Sequence, residues 1–277
     1  MRDADCGDCV HYADARRYEE SRLASTSGHF VMEVSPEVQD AVNGALDEAR
    51  RGKFQSAMDT LAALLRDHPR HHDVPYAIGT VHALQGKYEE SIIWFDRAIG
   101  IHPYSIEAHY NKAVSYQKLL DIHNSIRSYR KVVAIGPAND PEVVKARSIL
   151  ERMAAIISEN EGVSLDAYLR SGDKFNEAFG LMEGGDWAGA LKGFRASAAL
   201  NDGNAPCHGN MAICLAHLGH KAEALAEIDR ALDIDPHYEP ARSNREIFER
   251  MTEGKPLENV RYASINSSKE NVLKNRT

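Results

Sequence analysis

Three prolines recur at a constant interval, and this interval constrains the fold more than any other feature of the chain. Pro69, Pro103 and Pro137 are each separated by 34 residues. Between Pro69 and Pro103, Gly86-Lys87 separates two segments whose apolar residues follow helical spacing. A fixed period of this length indicates an array of stacked helix pairs.

The same residue types return at matching places when the units are counted from Val38, His72 and Ile106. Small residues occupy the eighth and twentieth places, which hold Ala45, Gly79 and Ala113, then Ala57, Ser91 and Ser125. Larger residues occupy places 17 and 24, which hold Phe54, Tyr88 and Ile122, then Leu61, Phe95 and Tyr129. Small side chains let two helices of one unit approach closely, and the larger ones fill the space beside them. Leu120 stands at the turn where the other two units have the glycines that a positive φ favours.

In these residues the chain resembles the tetratricopeptide repeat family, whose unit is a helix-turn-helix of 34 residues. The resemblance implies an all-α fold, a right-handed superhelical solenoid of such repeats. The aromatic residue usual at the fourth place is missing, because Pro75 and His109 stand there. After Pro137 the phase is displaced by 31 residues, and two further units begin at Ser171 and Ala205.

Four segments follow from this phase. We expect a mobile N-terminal arm over residues 1–34, then three repeat units and a covering helix over 35–160. A short connecting helix from Ser164, two further units and a closing helix would occupy 161–256, and residues 257–277 would form a polar, solvated tail. The first helix should begin at Ser35-Pro36-Glu37, where a capping hydroxyl, a proline and an acid coincide.

The composition argues against several classes of function. The formal net charge of −8 and the lack of a basic face argue against nucleic-acid binding. No apolar run approaches about 18 residues and the first residues are charged, so we expect no membrane contact and a cytoplasmic protein. No HExxH, GxSxG or GxGxxG motif occurs, so we predict neither enzymatic activity nor a cofactor.

Three groups of metal-ligating residues need an interpretation. Cys6, Cys9 and His11 could form half of a zinc site, which leaves open the alternative of a metal- or redox-responsive regulator. His68, His71 and His72 cluster between two units, where a polar loop is the ordinary explanation. Cys207 and Cys214 lie on one helical face, where packing is commoner than ligation.

The resemblance also implies a binding surface, because the family's first helices line the concave face of the array. Carried over to this sequence, the predicted peptide-binding residues are Tyr76, Thr80, Tyr110, Asn111, Val114, Lys118, Phe175, Asn176, Phe179, Asn210 and Ile213. Amides can pair with a peptide backbone, and rings beside them offer apolar contacts. The competing interpretation is that some of these rings only pack within the fold.

The main functional prediction is therefore a non-catalytic scaffold or adaptor that holds a partner peptide or helix in its groove. The partner's identity does not follow from the sequence. Some family members clamp acidic chaperone tails with paired Lys and Asn at places five and nine. Here those places hold Val42 and Leu46 in the first unit, so that partner is not supported.

Overall fold

The computed structural model describes residues 35–258 and Tyr262. Within these residues it contains twelve α-helices and no strand. The chain divides into two compact units between Leu150 and Glu151. The predictions for residues 1–34, including Cys6, Cys9 and His11, lie outside the described residues.

The first unit consists of three helix hairpins. They are α1 (Pro36–Arg50) with α2 (Phe54–Asp67), α3 (Asp73–Leu84) with α4 (Tyr88–Ile101), and α5 (Ile106–Lys118) with α6 (Ile122–Ile135). Helix α3 also packs against α1 and α2, and α5 packs against α4, so each hairpin stacks on the one before it. Helix α7 (Pro141–Glu161) follows, and the division between the two units falls inside it.

The turns inside these hairpins need a left-handed backbone. Gly52 and Gly86 have φ values of +79° and +75°. Leu120 takes the same place with φ of +60°, a conformation that disfavours residues with a Cβ. The glycines that recur at the fifteenth place therefore mark turns in the structure. Leu120 adopts the same turn conformation at a steric cost.

The small residues of the repeat lie where helices approach most closely. A Cβ on Gly79 would stand 2.8 Å from two ring atoms of Phe95, which is fully buried in α4. In α4, Ser91 is also fully buried and its hydroxyl donates to the Ser115 hydroxyl of α5 at 2.8 Å. The eighth place therefore holds a hairpin together, while the twentieth place contacts the next hairpin.

The second unit contains two hairpins and one more helix. They are α8 (Leu165–Glu183) with α9 (Trp187–Ala198), α10 (Ala205–His217) with α11 (Lys221–Ile234), and then α12 (Glu239–Glu249) against α11. Side chains of Ser164, Asp186 and Asn204 accept backbone N–H bonds at the starts of α8, α9 and α10. The prediction of an all-α helical repeat fold is confirmed.

Two details differ from the sequence analysis. The short connecting helix expected from Ser164 is not separate, because α8 runs without a break into the first helix of the fourth repeat. No proline interrupts Leu165–Glu183, so nothing stops the helix once Ser164 has started it. Leu257, predicted to begin a solvated tail, is instead buried in the core of the second unit.

Candidate functional site

The candidate site consists of the first helices that carry predicted contact residues. These are α3 and α5 in the first unit and α8 and α10 in the second. The question is which of the eleven predicted contact residues have side chains that a partner could reach.

In the first unit, the predicted residues of α3 and α5 are joined to each other. The Asn111 side-chain amide donates to the Tyr76 hydroxyl at 2.8 Å, and the Thr80 hydroxyl donates to the Tyr76 carbonyl at 3.0 Å. Both Tyr76 and Asn111 are less than one-tenth exposed. This bond ties the amide of one repeat to the phenol of the repeat before it, so it fixes the register of successive first helices.

Aromatic packing holds the two predicted tyrosines of this unit. The Tyr76 ring lies 5.9 Å from Phe95, and the Tyr110 ring meets Tyr129 edge-on at 5.5 Å. Val114 is buried on the same helix as Tyr110. Lys118, at the C-terminal end of α5, is exposed.

In the second unit the predicted rings belong to the core. Phe175 is fully buried and packs against Phe179 at 6.2 Å and Phe194 at 5.2 Å. Ile213 and Asn210 are also buried, and Asn176 is exposed on α8. Of the eleven predicted residues, Lys118 and Asn176 are therefore the two with exposed side chains, and the partner contacts assigned to the other nine stay predictions.

Two of the three groups considered as metal ligands lie within the described residues. His71 and His72 face Asp73, with the His72 Nδ1 atom 3.0 Å from a carboxylate oxygen. Cys207 and Cys214 are buried free thiols, and burial raises the pKa of each to about 12. Across residues 35–258 and Tyr262, no group of three or more His, Cys, Asp or Glu side chains is arranged to hold a metal ion.

A buried histidine between two carboxylates, which was not predicted from the sequence, joins the two helices of the last hairpin. The buried His208 ring of α10 lies between two carboxylates, with Nδ1 2.7 Å from Glu227 and Nε2 3.2 Å from Asp202. Burial lowers the pKa of His208, but the hydrogen bond and charge of Glu227, with the charge of Asp202, outweigh this effect and raise it. No local pattern signals this pair, because its members are 19 residues apart on different helices.

These hairpins define a helical repeat protein, and the family follows from sequence comparison. Three tetratricopeptide repeat models match residues 42–106, 106–139 and 181–243, which together make more than half of the chain. The chain belongs to the tetratricopeptide repeat family, so the resemblance seen in the sequence is confirmed. No curated protein is significantly similar to it.

The chain is also similar to several solved structures at low identity. YrrB, described as a TPR protein with an unusual peptide-binding site, is 17% identical with a TM-score of 0.38, over 74% of this chain and 90% of that one. The TPR2AB domain of yeast Sti1 in complex with pHSP90 is 17% identical with a TM-score of 0.40, over 77% and 83%. MamA from Desulfovibrio magneticus RS-1 is 14% identical with a TM-score of 0.35, over 74% and 99%.

No helix within the described residues is both long and apolar enough to cross a membrane.

Proposed function

We propose that the chain is a non-catalytic scaffold that binds a protein partner, as a peptide or a helix, on the faces of its first helices. The observation that carries the proposal is the presence of two runs of repeats, over residues 42–139 and 181–243. Repeat arrays expose a continuous surface built from equivalent positions of successive units, which suits an extended partner better than a small molecule.

The exposed side chains on these faces suggest how the partner is held. Lys118 places an ammonium group at the end of α5, and Asn176 places an exposed side-chain amide on α8. The buried Asn111–Tyr76 bond would act indirectly, by fixing the spacing of α3 and α5. We expect loss of Lys118 or Asn176 to weaken the contact directly and loss of Asn111 to weaken it through the fold.

Site-specific photo-crosslinking tests this proposal in the native cell. A photoreactive residue would replace Lys118 or Asn176 on the first helices, and matched controls would replace the exposed Lys131 of α6 or Lys192 of α9. We expect a partner protein to be captured from each of positions 118 and 176, with at least threefold lower yield from the second-helix position of the same unit. Equal or higher yield from positions 131 and 192 would refute the assignment of the binding face.

A further inference from the structure

After α12 the chain turns back across the end of α10. The Gly254 N–H donates to the Gly219 carbonyl, and the Leu257 N–H donates to the Ala216 carbonyl, both at 2.9 Å. Carbonyls at the C-terminal end of a helix have no partner within the helix, so they are available to a second segment. The returning segment therefore donates to two carbonyls at this end of the hairpin, those of Gly219 and Ala216, and the Ala216 carbonyl also accepts the Gly219 N–H at 3.1 Å.

Polar side chains also hold this segment against the start of α11. The Lys221 ammonium donates to the carbonyls of Glu249 and Met251 at 2.6 and 2.8 Å. A Glu253 carboxylate oxygen accepts the Ala222 N–H at 2.9 Å, in the first turn of α11, where an anion is favoured. These contacts fix the direction in which residues 249–254 leave α12.

The close approach depends on the residue at the α10–α11 turn. Gly219 has φ of +85°, and a Cβ there would lie 3.1 Å from the Gly254 carbonyl carbon. Gly86 occupies the equivalent turn of an earlier repeat with φ of +75°, and a Cβ there would meet nothing within 4 Å. At Gly219 the missing side chain thus also makes room for the returning backbone.

Two side chains of the returning segment enter the fold. Leu257 is buried in the core cluster of the second unit. The Tyr262 ring meets the ring of His217 edge-on at 5.2 Å. The Trp187 ring stacks on the same His217 ring in parallel at 3.8 Å. The segment is therefore held by backbone hydrogen bonds, the burial of one aliphatic side chain and one aromatic contact, a combination that proteins also use to recognise extended peptides.

The geometry points to a peptide-docking site, made by the Trp187–His217 pair and the exposed end of α10, that the chain's own tail occupies through Leu257 and Tyr262. Its occupant in trans is an extended peptide that carries an aliphatic and an aromatic side chain at the spacing of these two residues. Because a tethered segment acts at an effective concentration on the order of millimolar, such a peptide binds well only when the tail is released. The tail therefore regulates access to the site. This site is separate from Lys118 and Asn176, so the inference does not rest on the binding face proposed above.

The test uses the full chain and a labelled peptide with the sequence of residues 252–266. The receiving chain carries Leu257→Ala and Tyr262→Ala, which weaken the tail and leave Trp187, His217 and Ala216 unchanged. Fluorescence anisotropy should show at least tenfold tighter peptide binding than to the unmodified chain. Because Leu257 is buried, Tyr262→Ala alone serves as a second receiver, and circular dichroism checks that each variant is folded.

Two controls identify the site. A peptide with Tyr262→Ala, or a receiving chain that also carries His217→Ala, should bind at least tenfold more weakly. Three outcomes would each overturn the proposal. They are equal binding to the modified and unmodified chains, equal binding of the peptides with and without Tyr262→Ala, and no binding to any folded variant. In those cases the returning segment only closes the last repeat. Neither result changes what photo-crosslinking at positions 118 and 176 reports.

Discussion

The effect of a glycine in this fold depends on what its missing side chain would touch. At Gly79 of α3, a Cβ would stand 2.8 Å from Phe95 ring atoms and 3.2 Å from the Ser91 carbonyl. The Phe95 ring is fully buried, so it can make room only by displacing neighbouring core side chains. We predict that Gly79→Ala lowers the free energy of unfolding by about 1–3 kcal/mol, the usual cost of overpacking. Urea unfolding followed by circular dichroism measures the change.

Gly44 of α1 is the matched control. It is exposed, it lies inside a helix, and a Cβ there would meet nothing within 4 Å. Gly44→Ala should raise the free energy of unfolding by about 0.5–1 kcal/mol, because alanine loses less backbone freedom on folding. Stabilisation by both substitutions would show that α3 and α4 are not in the close contact described.

Residue-level expectations from the sequence succeeded where the repeat dictates local geometry. The glycines at Gly52 and Gly86 and the small residue at Gly79 lie where the phase places them, because turn dihedrals and helix spacing are properties of one unit. The burial of Tyr76 and Phe175 was harder to predict. The period assigns a residue to a helix face, but burial depends on neighbours contributed by other repeats.

At the scale of the helices, the His208–Glu227 pair predicts a pH dependence for the last hairpin. The folded-state pKa of His208 is raised above its ordinary value of 6.5, so the protonated ring stabilises the fold. This stabilisation is present in full below about pH 6.5 and is lost as the pH rises through the raised pKa. Glu227→Gln should lower the midpoint of the His208 titration, measured by NMR on the full chain.

A carboxylate on the same helix provides the control for this prediction. Glu223 pairs with Arg195 at 3.4 Å in an exposed position, where ion pairs contribute little. Glu223→Gln should therefore leave the His208 titration unchanged. If the midpoint of the His208 titration does not change in the Glu227→Gln variant, Glu227 does not raise the pKa of His208.

In the first unit, His102 should make the fold less stable as the pH falls, whereas His208 makes it more stable. Burial, the charge of His72 and that of His109 lower the pKa of His102 to about 4, against the opposing charge of Asp73. The rings of His72 and His102 are 4.8 Å apart. Since the neutral ring is favoured in the folded state, His102 reduces stability as the pH falls from about 6.5 towards 4.

Substitution of His102 isolates this effect. His102→Gln removes the titrating ring, so we expect a smaller loss of unfolding free energy between pH 6.5 and 4 than in the unmodified chain. Urea unfolding at a series of pH values measures it. An unchanged pH dependence would mean that other groups account for the acid response.

Helix order and the positions of the turns could be predicted from the sequence, whereas contacts between distant segments could not. A proline or a capping residue marks where a helix begins, as at Pro36 and Ser164. The capping bond expected from Ser35 is wrong, because its hydroxyl donates to the Glu37 carboxylate and accepts no backbone N–H. The continuity of α8 was missed because a break in the repeat phase was taken for a break in the helix. The tail contact was missed because Tyr262 meets His217, a partner 45 residues earlier that no periodicity links to it.

At the scale of the whole molecule, each compact unit has a core of its own. Buried clusters around Leu61 and Phe95 lie in the first unit, and the cluster around Phe194 lies in the second, with no buried residue in common. In repeat proteins, stability is approximately a sum of unit terms and nearest-neighbour terms, so damage to one core stays local.

Matched substitutions in the two cores test this locality. Phe95→Ala and Phe194→Ala each remove a fully buried ring, at a cost of about 3–5 kcal/mol. Native-state hydrogen exchange should show at least tenfold faster exchange in α3–α5 for Phe95→Ala, with α10 and α11 unchanged. Phe194→Ala should give the reverse pattern, because the ring of Phe194 packs on Phe175. Loss of protection in both units from either substitution would mean that the chain unfolds as one cooperative body.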